Sequence, residues 1–275
     1  MKLTKHVISL VAAALFCLPA QARDGIYLAT TSSTENSGLL AHLLPAFEAQ
    51  AKLKVHVIAL GSGAALAMAR RGDADLVMVH ARAEEDKFMA EGHGSARRDL
   101  MYNDFVIVCP AGDPAGIKGG NDPIAAMKKI VASATRFVSR GDRSGTEIME
   151  QSYWSAAGVR PTPANYVAAG RGMGEVLSMA AEMQACTLSD RATYATFQAK
   201  TGLAIMVQGD PRLFNPYGLI TVSAQRHPGV NSAGAQLLMN WLLSPEGQQR
   251  IASFKPNGQQ LFYPSAQPQP NASLR

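Results

Sequence analysis

Residues 139–147 read SRGDRSGTE and follow the apolar run Arg136-Phe137-Val138. The stretch combines arginines, hydroxyl side chains and glycines at the point where a strand gives way to a helix. Glycine lets the backbone approach a ligand closely, and the first turn of a helix carries free N–H groups and partial positive charge. Together these groups make an anion site. Helix capping accounts for part of the pattern, because Ser144-Gly145-Thr146-Glu147 has the spacing of a capping box worth about 1 kcal/mol. Capping leaves Arg140, Gly141 and Asp142 unexplained. Arg140 stands where a guanidinium neutralises a dianion bidentately. Asp142 is placed to hold Arg140 or Arg143, or to act as an acceptor, and the sequence leaves these roles open.

Three other stretches have the same character: Thr30-Thr31-Ser32-Ser33-Thr34, Gly61-Ser62-Gly63 and Gly170-Arg171-Gly172-Met173-Gly174. Each stands between a strand-like run and a helix-like run. Ser189-Asp190-Arg191 also follows a strand-like run, and it either faces a ligand or simply starts the next helix. The candidate ligand set is therefore Thr30, Thr31, Ser32, Ser33, Ser62, Gly63, Arg140, Ser144, Gly145, Thr146, Arg171, Gly172, Met173 and Asp190.

The elements that must hold these residues alternate. Gly25–Ala29, Lys54–Leu60, Ala74–Val79, Asn103–Val108, Phe137–Val138, Tyr166–Ala169 and Ala185–Leu188 read as strands, with later ones at Ile205–Val207 and Leu219–Val222. Helical periodicity separates them, as in Leu39, Leu40, Leu43, Leu44 and Phe47, where Pro45 predicts a kink. Asp122-Pro123 is a capped helix start. This alternation predicts an α/β fold with largely parallel sheets, whose ligands sit where strand ends feed helix N-termini. The 275 residues suit one large unit or two lobes of about 100 residues.

Several function classes lack the motifs they need. There is no G-x-S-x-G elbow, P-loop or H-E-x-x-H. His42, His56, His80, His93 and His227 lack metal-ligand spacing, and no cation site is expected. His80 follows a buried strand, and a core or rim position is expected for it, with ligand contact left open. The formal charge of +5 falls to +3 without Lys2 and Lys5, and the basic residues are scattered, so nucleic acid is not an expected partner.

Lys2 and Lys5, the apolar run from Val7 to Leu18 and Ala20-Gln21-Ala22 form an export signal, giving a periplasmic chain that starts at Arg23. Cys17 leaves with that signal. Cys109 and Cys186 are able to pair in an oxidising compartment. Their separation and strand-like settings favour two buried, unpaired thiols, and their pairing is left open.

The ordered blocks ATTSSTENSGLL (29–40), GSGAALAMARRGDADLVMVHA (61–81), MYNDFVIV (101–108), SRGDRSGTE (139–147), GRGMGEVL (170–177), TLSDRATY (187–194), GDPRLFNPYGLI (209–220) and NWLLSPEGQQRI (240–251) resemble the tungstate-binding proteins of bacterial ABC importers, a branch of the type II periplasmic binding proteins. The resemblance implies two α/β lobes, each with a central, mostly parallel sheet, and an oxyanion cleft between them. It divides the chain into a signal at 1–22, a first lobe over 23–104, a second over 105–222 with crossing strands near 103–108 and 217–222, and a return to the first lobe over 223–275. It implies tungstate or molybdate as ligand, hinge closure, a membrane permease as partner, a monomer, no cofactor and no enzymatic activity. Phosphate and sulfate remain alternatives, as does, more distantly, an exported hydrolase of anionic substrates. Cys109 and Cys186 depart from the family pattern, just outside its motifs.

Overall fold

Residues 24–266 are described by the computed structural model. The expected export signal and the tail from Gln267 lie outside these residues. The elements run β1 (Gly25–Thr31), α1 (Ser32–Asn36), α2 (Leu39–Ala51), β2 (Lys54–Leu60), α3 (Ser62–Arg70), β3 (Leu76–Val79), α4 (Arg82–Ala90), β4 (Gly94–Pro110), α5 (Pro123–Ala132) and β5 (Phe137–Ser139). They continue as α6 (Gly145–Ala157), β6 (Tyr166–Ala168), α7 (Met173–Glu182), β7 (Thr187–Asp190), α8 (Arg191–Thr201), β8 (Leu203–Val207), β9 (Phe214–Val222), α9 (Ser232–Leu243), α10 (Pro245–Ser253) and β10 (Tyr263–Pro264).

Strand β4 organises the molecule. Its 17 residues pair antiparallel with β9 from Gly94 to Asp104, and with β7 and β8 from Phe105 to Pro110. The main sheet has the order β10-β4-β9-β3-β1-β2. Parallel pairing joins β1 to β2 and β3, and β5 to β6, whereas β3–β9 and every β4 pairing are antiparallel. The expectation of a mostly parallel sheet is therefore corrected to a mixed one. Strand–helix alternation enforces parallel pairing only where the crossover returns to a neighbouring strand. Here β4 and β9 run long and opposed beside the parallel set.

Side chains alternate across the strands, as the period of two requires. Phe105, Ile107 and Cys109 enter one core with Met127, Ile130 and Trp154, and Val106 and Val108 enter another with Val176 and Leu177. Leu76 and Met78 pack with Leu39, Leu43 and Phe47 on one face of β3, and Val77 and Val79 with Leu66 and Phe88 on the other. Two pairs of cores thus flank the sheet, one toward each end of β4. Pro45 sits within α2 on its exposed face, where the Ala41 carbonyl that loses its partner also lies on the exposed side.

Cys109 and Cys186 form a disulfide, with Cα atoms 4.1 Å apart. This corrects the expectation of free thiols. The β4–β7 register pairs Val108 with Thr187, so the next opposed positions are Cys109 and Cys186. A separation of 77 residues in sequence says nothing about that register.

Candidate oxyanion site

The SRGDRSGTE stretch leaves β5 and enters α6. Gly141 has φ +63°, and a Cβ there would lie 2.8 Å from the Ala168 Cβ, so only glycine fits. That turn brings Asp142 back onto Arg140, whose Nη2 donates to Asp142 Oδ2. The other oxygen, Oδ1, accepts from the Ser144 backbone N–H at 3.1 Å. Ser144 is the N-cap of α6 and its Oγ accepts from the Glu147 N–H at 3.3 Å. The Glu147 carboxylate accepts from the Arg143 N–H, one position before the cap. The capping box is thus shifted, because Asp142 has taken the Ser144 N–H.

The other junctions close around this loop. Gly170 and Arg171 donate their backbone N–H groups to the Arg140 carbonyl at 2.7 and 3.3 Å, tying the start of α7 to the arginine. A Cβ on Gly61 would lie 3.7 Å from Asp142 Oδ2, and one on Gly63 3.4 Å from the Arg143 carbonyl. The start of α3 at Ser62 therefore lies against the arginine loop. A Cβ on Gly172 would lie 3.9 Å from Ser32 Oγ, so α7 also faces the end of β1. A cavity of about 480 Å³ lies at this meeting, walled by Ser32, Gly61, Arg140, Asp142, Arg171 and Gly172.

Among the described residues, four buried polar atoms on these junctions have no hydrogen-bond partner. They are Ser62 Oγ, Ser139 Oγ, Arg140 Nε and Thr146 Oγ1, on residues 0%, 1%, 3% and 1% exposed. Leaving buried donors unpaired is costly, and such groups in a native fold call for an explanation. All four can donate.

Other candidate residues are otherwise engaged. Thr30 Oγ1 donates to the Met78 carbonyl at 2.9 Å and ties β1 to β3. Thr31 caps α1, with its Oγ1 3.0 Å from Ser33 Oγ and 2.7 Å from Thr34 Oγ1. Met173 is fully buried in the core under α7. Asp190 is fully buried and caps α8, both oxygens accepting from Thr193, at 2.9 Å from its N–H and 2.7 Å from its hydroxyl. For Asp190 the capping alternative is the one the structure displays.

His80 belongs to the same neighbourhood, at the end of β3. Its Nδ1 lies 2.9 Å from Asn215 Oδ1 and its Nε2 3.4 Å from Ser33 Oγ. Burial lowers its pKa to about 4, Arg140 adds to the lowering, and Asp190 and the Asn215 hydrogen bond oppose it. The ring is therefore neutral near pH 7. Among the described residues no cluster of three or more His, Cys, Asp or Glu side chains is arranged to hold a metal ion.

A PBP superfamily domain model matches residues 19–246. The tungstate-binding protein TupA of Peptoclostridium acidaminophilum is 45% identical over 250 residues, covering 90% of this chain and 87% of that protein. The chain belongs to the TupA family of tungstate-binding proteins, within the PBP superfamily. Solved structures agree with that family. The tungstate ABC transporter structure from Geobacter sulfurreducens is 47% identical, has a TM-score of 0.78 and covers 85% of this chain and all of that one. TupA from Desulfovibrio alaskensis G20 is 42% identical, with a TM-score of 0.77, and covers 89% of this chain. TupA-family members are transporter binding proteins, and the chain is accordingly a binding protein and not an enzyme.

Proposed function

We propose that the chain is the extracytoplasmic substrate-binding protein of an ABC importer, and that it captures tungstate, with molybdate as the nearest competitor, where the starts of α3 and α6 meet the 480 Å³ cavity at Arg140. The observation that carries this reading is that Ser62 Oγ, Thr146 Oγ1 and Arg140 Nε are buried donors without a partner among the described residues; of the three, Arg140 also walls the cavity. A tetrahedral dianion offers acceptors in several directions and brings no proton. It would satisfy all three atoms at once, with Arg140 supplying the full positive charge. Ser32, Ser144 and the backbone N–H groups near Gly63, Gly145 and Gly172 complete the proposed set, and Arg171 stands at its wall.

The state of Asp142 bears on which anion is taken. Phosphate near neutral pH usually carries a proton and calls for an acceptor. Both Asp142 oxygens already accept, from Arg140 and from Ser144. That commitment favours an unprotonated dianion, which tungstate and molybdate are. Sulfate meets the same donor logic and differs in size.

The pairing of β4 supports a two-lobed molecule. Up to Asp104 it belongs with β9, and from Phe105 with β7 and β8. The lobes proposed are 23–104 with 214–275, and 105–213; the expected boundary at 222 moves to just ahead of Phe214 because β9 pairs with β3 and the first part of β4. Ser32 and Ser62 then face Arg140, Thr146 and Gly172 across the cleft, and closure expels water around the anion. A disulfide is consistent with an exported chain, as is the basic and apolar start. Among the described residues no helix is long and apolar enough to cross a membrane. The proposed protein acts as a monomer that delivers its ligand to a membrane permease.

Calorimetric titration with tungstate, molybdate, sulfate and phosphate tests the reading. Tungstate is expected to bind and, at a hundred times its Kd, to raise stability by about 2.7 kcal/mol. Binding of phosphate without tungstate or molybdate would overturn it.

A further inference from the structure

His80 touches both sides of the proposed cleft and the strands that join them. Asn103 and Asn215 are direct partners in the β4–β9 register. Asn215 Nδ2 donates to Asn103 Oδ1 at 2.7 Å, which leaves Asn215 Oδ1 to face His80 Nδ1 at 2.9 Å. An amide oxygen only accepts, so Nδ1 carries the ring proton. In a neutral ring Nε2 is then an acceptor, and the Ser33 hydroxyl is the group that donates to it, at 3.4 Å. On the other side, a Cβ added to Gly145 would lie 2.7 Å from the His80 carbonyl and 3.0 Å from Nδ1. The first residue of α6 thus rests directly on His80. Tyr217 supports the ring from β9, with centroids 4.7 Å apart. Asp190 and Arg140 are the charged groups that act on it.

We propose that His80 is a positioning residue for the anion site, holding Ser33 to the Asn103–Asn215 pair through its two ring nitrogens and seating the N-terminus of α6 on its backbone and ring. The inference rests on the oxyanion-binding reading and adds to it a group that does not touch the ligand. Ser33, turned toward His80, holds the first turn of α1, and so the adjacent Ser32 at the cavity wall. Gly145 precedes Thr146, so the seat of α6 sets where that hydroxyl points. A change in the geometry of the two long strands reaches both donors through one imidazole.

Two amides copy the ring one nitrogen at a time. Gln reaches about as far as Nε2, and Asn about as far as Nδ1. Calorimetry with tungstate on His80→Phe, His80→Gln, His80→Asn, Ser33→Ala and the Ser33→Ala/His80→Phe double variant tests the proposal, with the unliganded Tm of each recorded. His80→Phe is expected to weaken binding roughly tenfold, in line with a lost positioning hydrogen bond. His80→Gln is expected to recover most of that loss, His80→Asn little of it, and Ser33→Ala to add nothing in the His80→Phe background. Wild-type affinity in His80→Phe, or an additive Ser33→Ala effect, would overturn the proposal. Should His80→Phe fail to fold, equal tungstate affinity in the Gln and Asn variants does so. A wild-type protein that binds no tungstate defeats the functional reading instead. In that case the coupling is read from the unliganded Tm values, where additive effects of Ser33→Ala and His80→Phe reject the link.

Discussion

Arg140 and Asp142 form an ion pair across one residue, Gly141, whose positive φ folds the chain back on itself. The arginine is 3% exposed, and its carbonyl is held by Gly170 and Arg171. The guanidinium is therefore fixed from both ends before any ligand arrives, which lowers the ordering cost of binding.

Replacing that guanidinium should be the most damaging single change. Arg140→Ala is expected to cost about 3 kcal/mol of tungstate binding, roughly a hundredfold in Kd. Calorimetry on the variant checks this, and unchanged affinity would remove the arginine from the site.

Two of the unpartnered hydroxyls predict a trade between stability and binding. Ser62→Ala and Thr146→Val delete buried polar atoms that no group among the described residues satisfies. Each should leave the unliganded Tm equal or higher, because a desolvation penalty of about 1 kcal/mol disappears. Each should also weaken tungstate binding about tenfold. A fall in unliganded Tm with full affinity retained would show these hydroxyls to be ordinary packing groups.

The disulfide should act on stability and leave the anion site alone. Loop-closure entropy for 77 residues suggests a contribution of about 4 kcal/mol. Chemical denaturation of Cys109→Ser/Cys186→Ser against the oxidised protein measures it. Tungstate affinity should stay near wild type, since neither cysteine lines the cavity.

His80 gives the fold an acid-sensitive arm. Its pKa is about 4 in the folded chain against an ordinary value near 6.5. Between those values the unfolded chain binds more protons, so stability falls as pH drops from about 6.5 to about 4 and levels off below. The buried carboxylates of Glu85 and Glu150 are raised by desolvation and contribute in the opposite sense, losing stability as pH rises. Denaturation curves between pH 7 and pH 4.5 should show a steeper slope for wild type than for His80→Gln. Identical slopes would mean that His80 does not titrate in this range.

Much of the architecture is legible in the sequence because short apolar runs and helical periodicity survive in most core-facing elements. The four junctions proposed for the anion are legible for a related reason: Gly, Ser and Thr cluster where strands end. What the sequence hides is pairing. The first part of β4, GSARRDLM, is rich in charge, and only NDFVIV reads as strand, so its full 17 residues and the mixed sheet they create were not visible. Arg97 is accommodated in that strand by an ion pair with Glu85, a fully buried residue of α4. The Cys109–Cys186 pair depends on an antiparallel register that no local signal encodes. Asp190 and Ser32 show a further limit. Both are polar residues at a strand end, and only the position of Thr193 makes one a cap while the other faces the cavity.

The length of β4 also bears on how the molecule comes apart. Leu100 and Met101 lie in the core with α2 and α9, and Phe105 to Cys109 lie in the two cores beyond it. One unbroken strand is thus structural material for both ends of the protein, and β9 is paired along the first stretch of it. Either end can melt only by fraying the strand on which the other is built. Cooperative unfolding in one transition, with the slowest amide exchange centred on Met101 to Val108, is the thermodynamic counterpart of that shared strand.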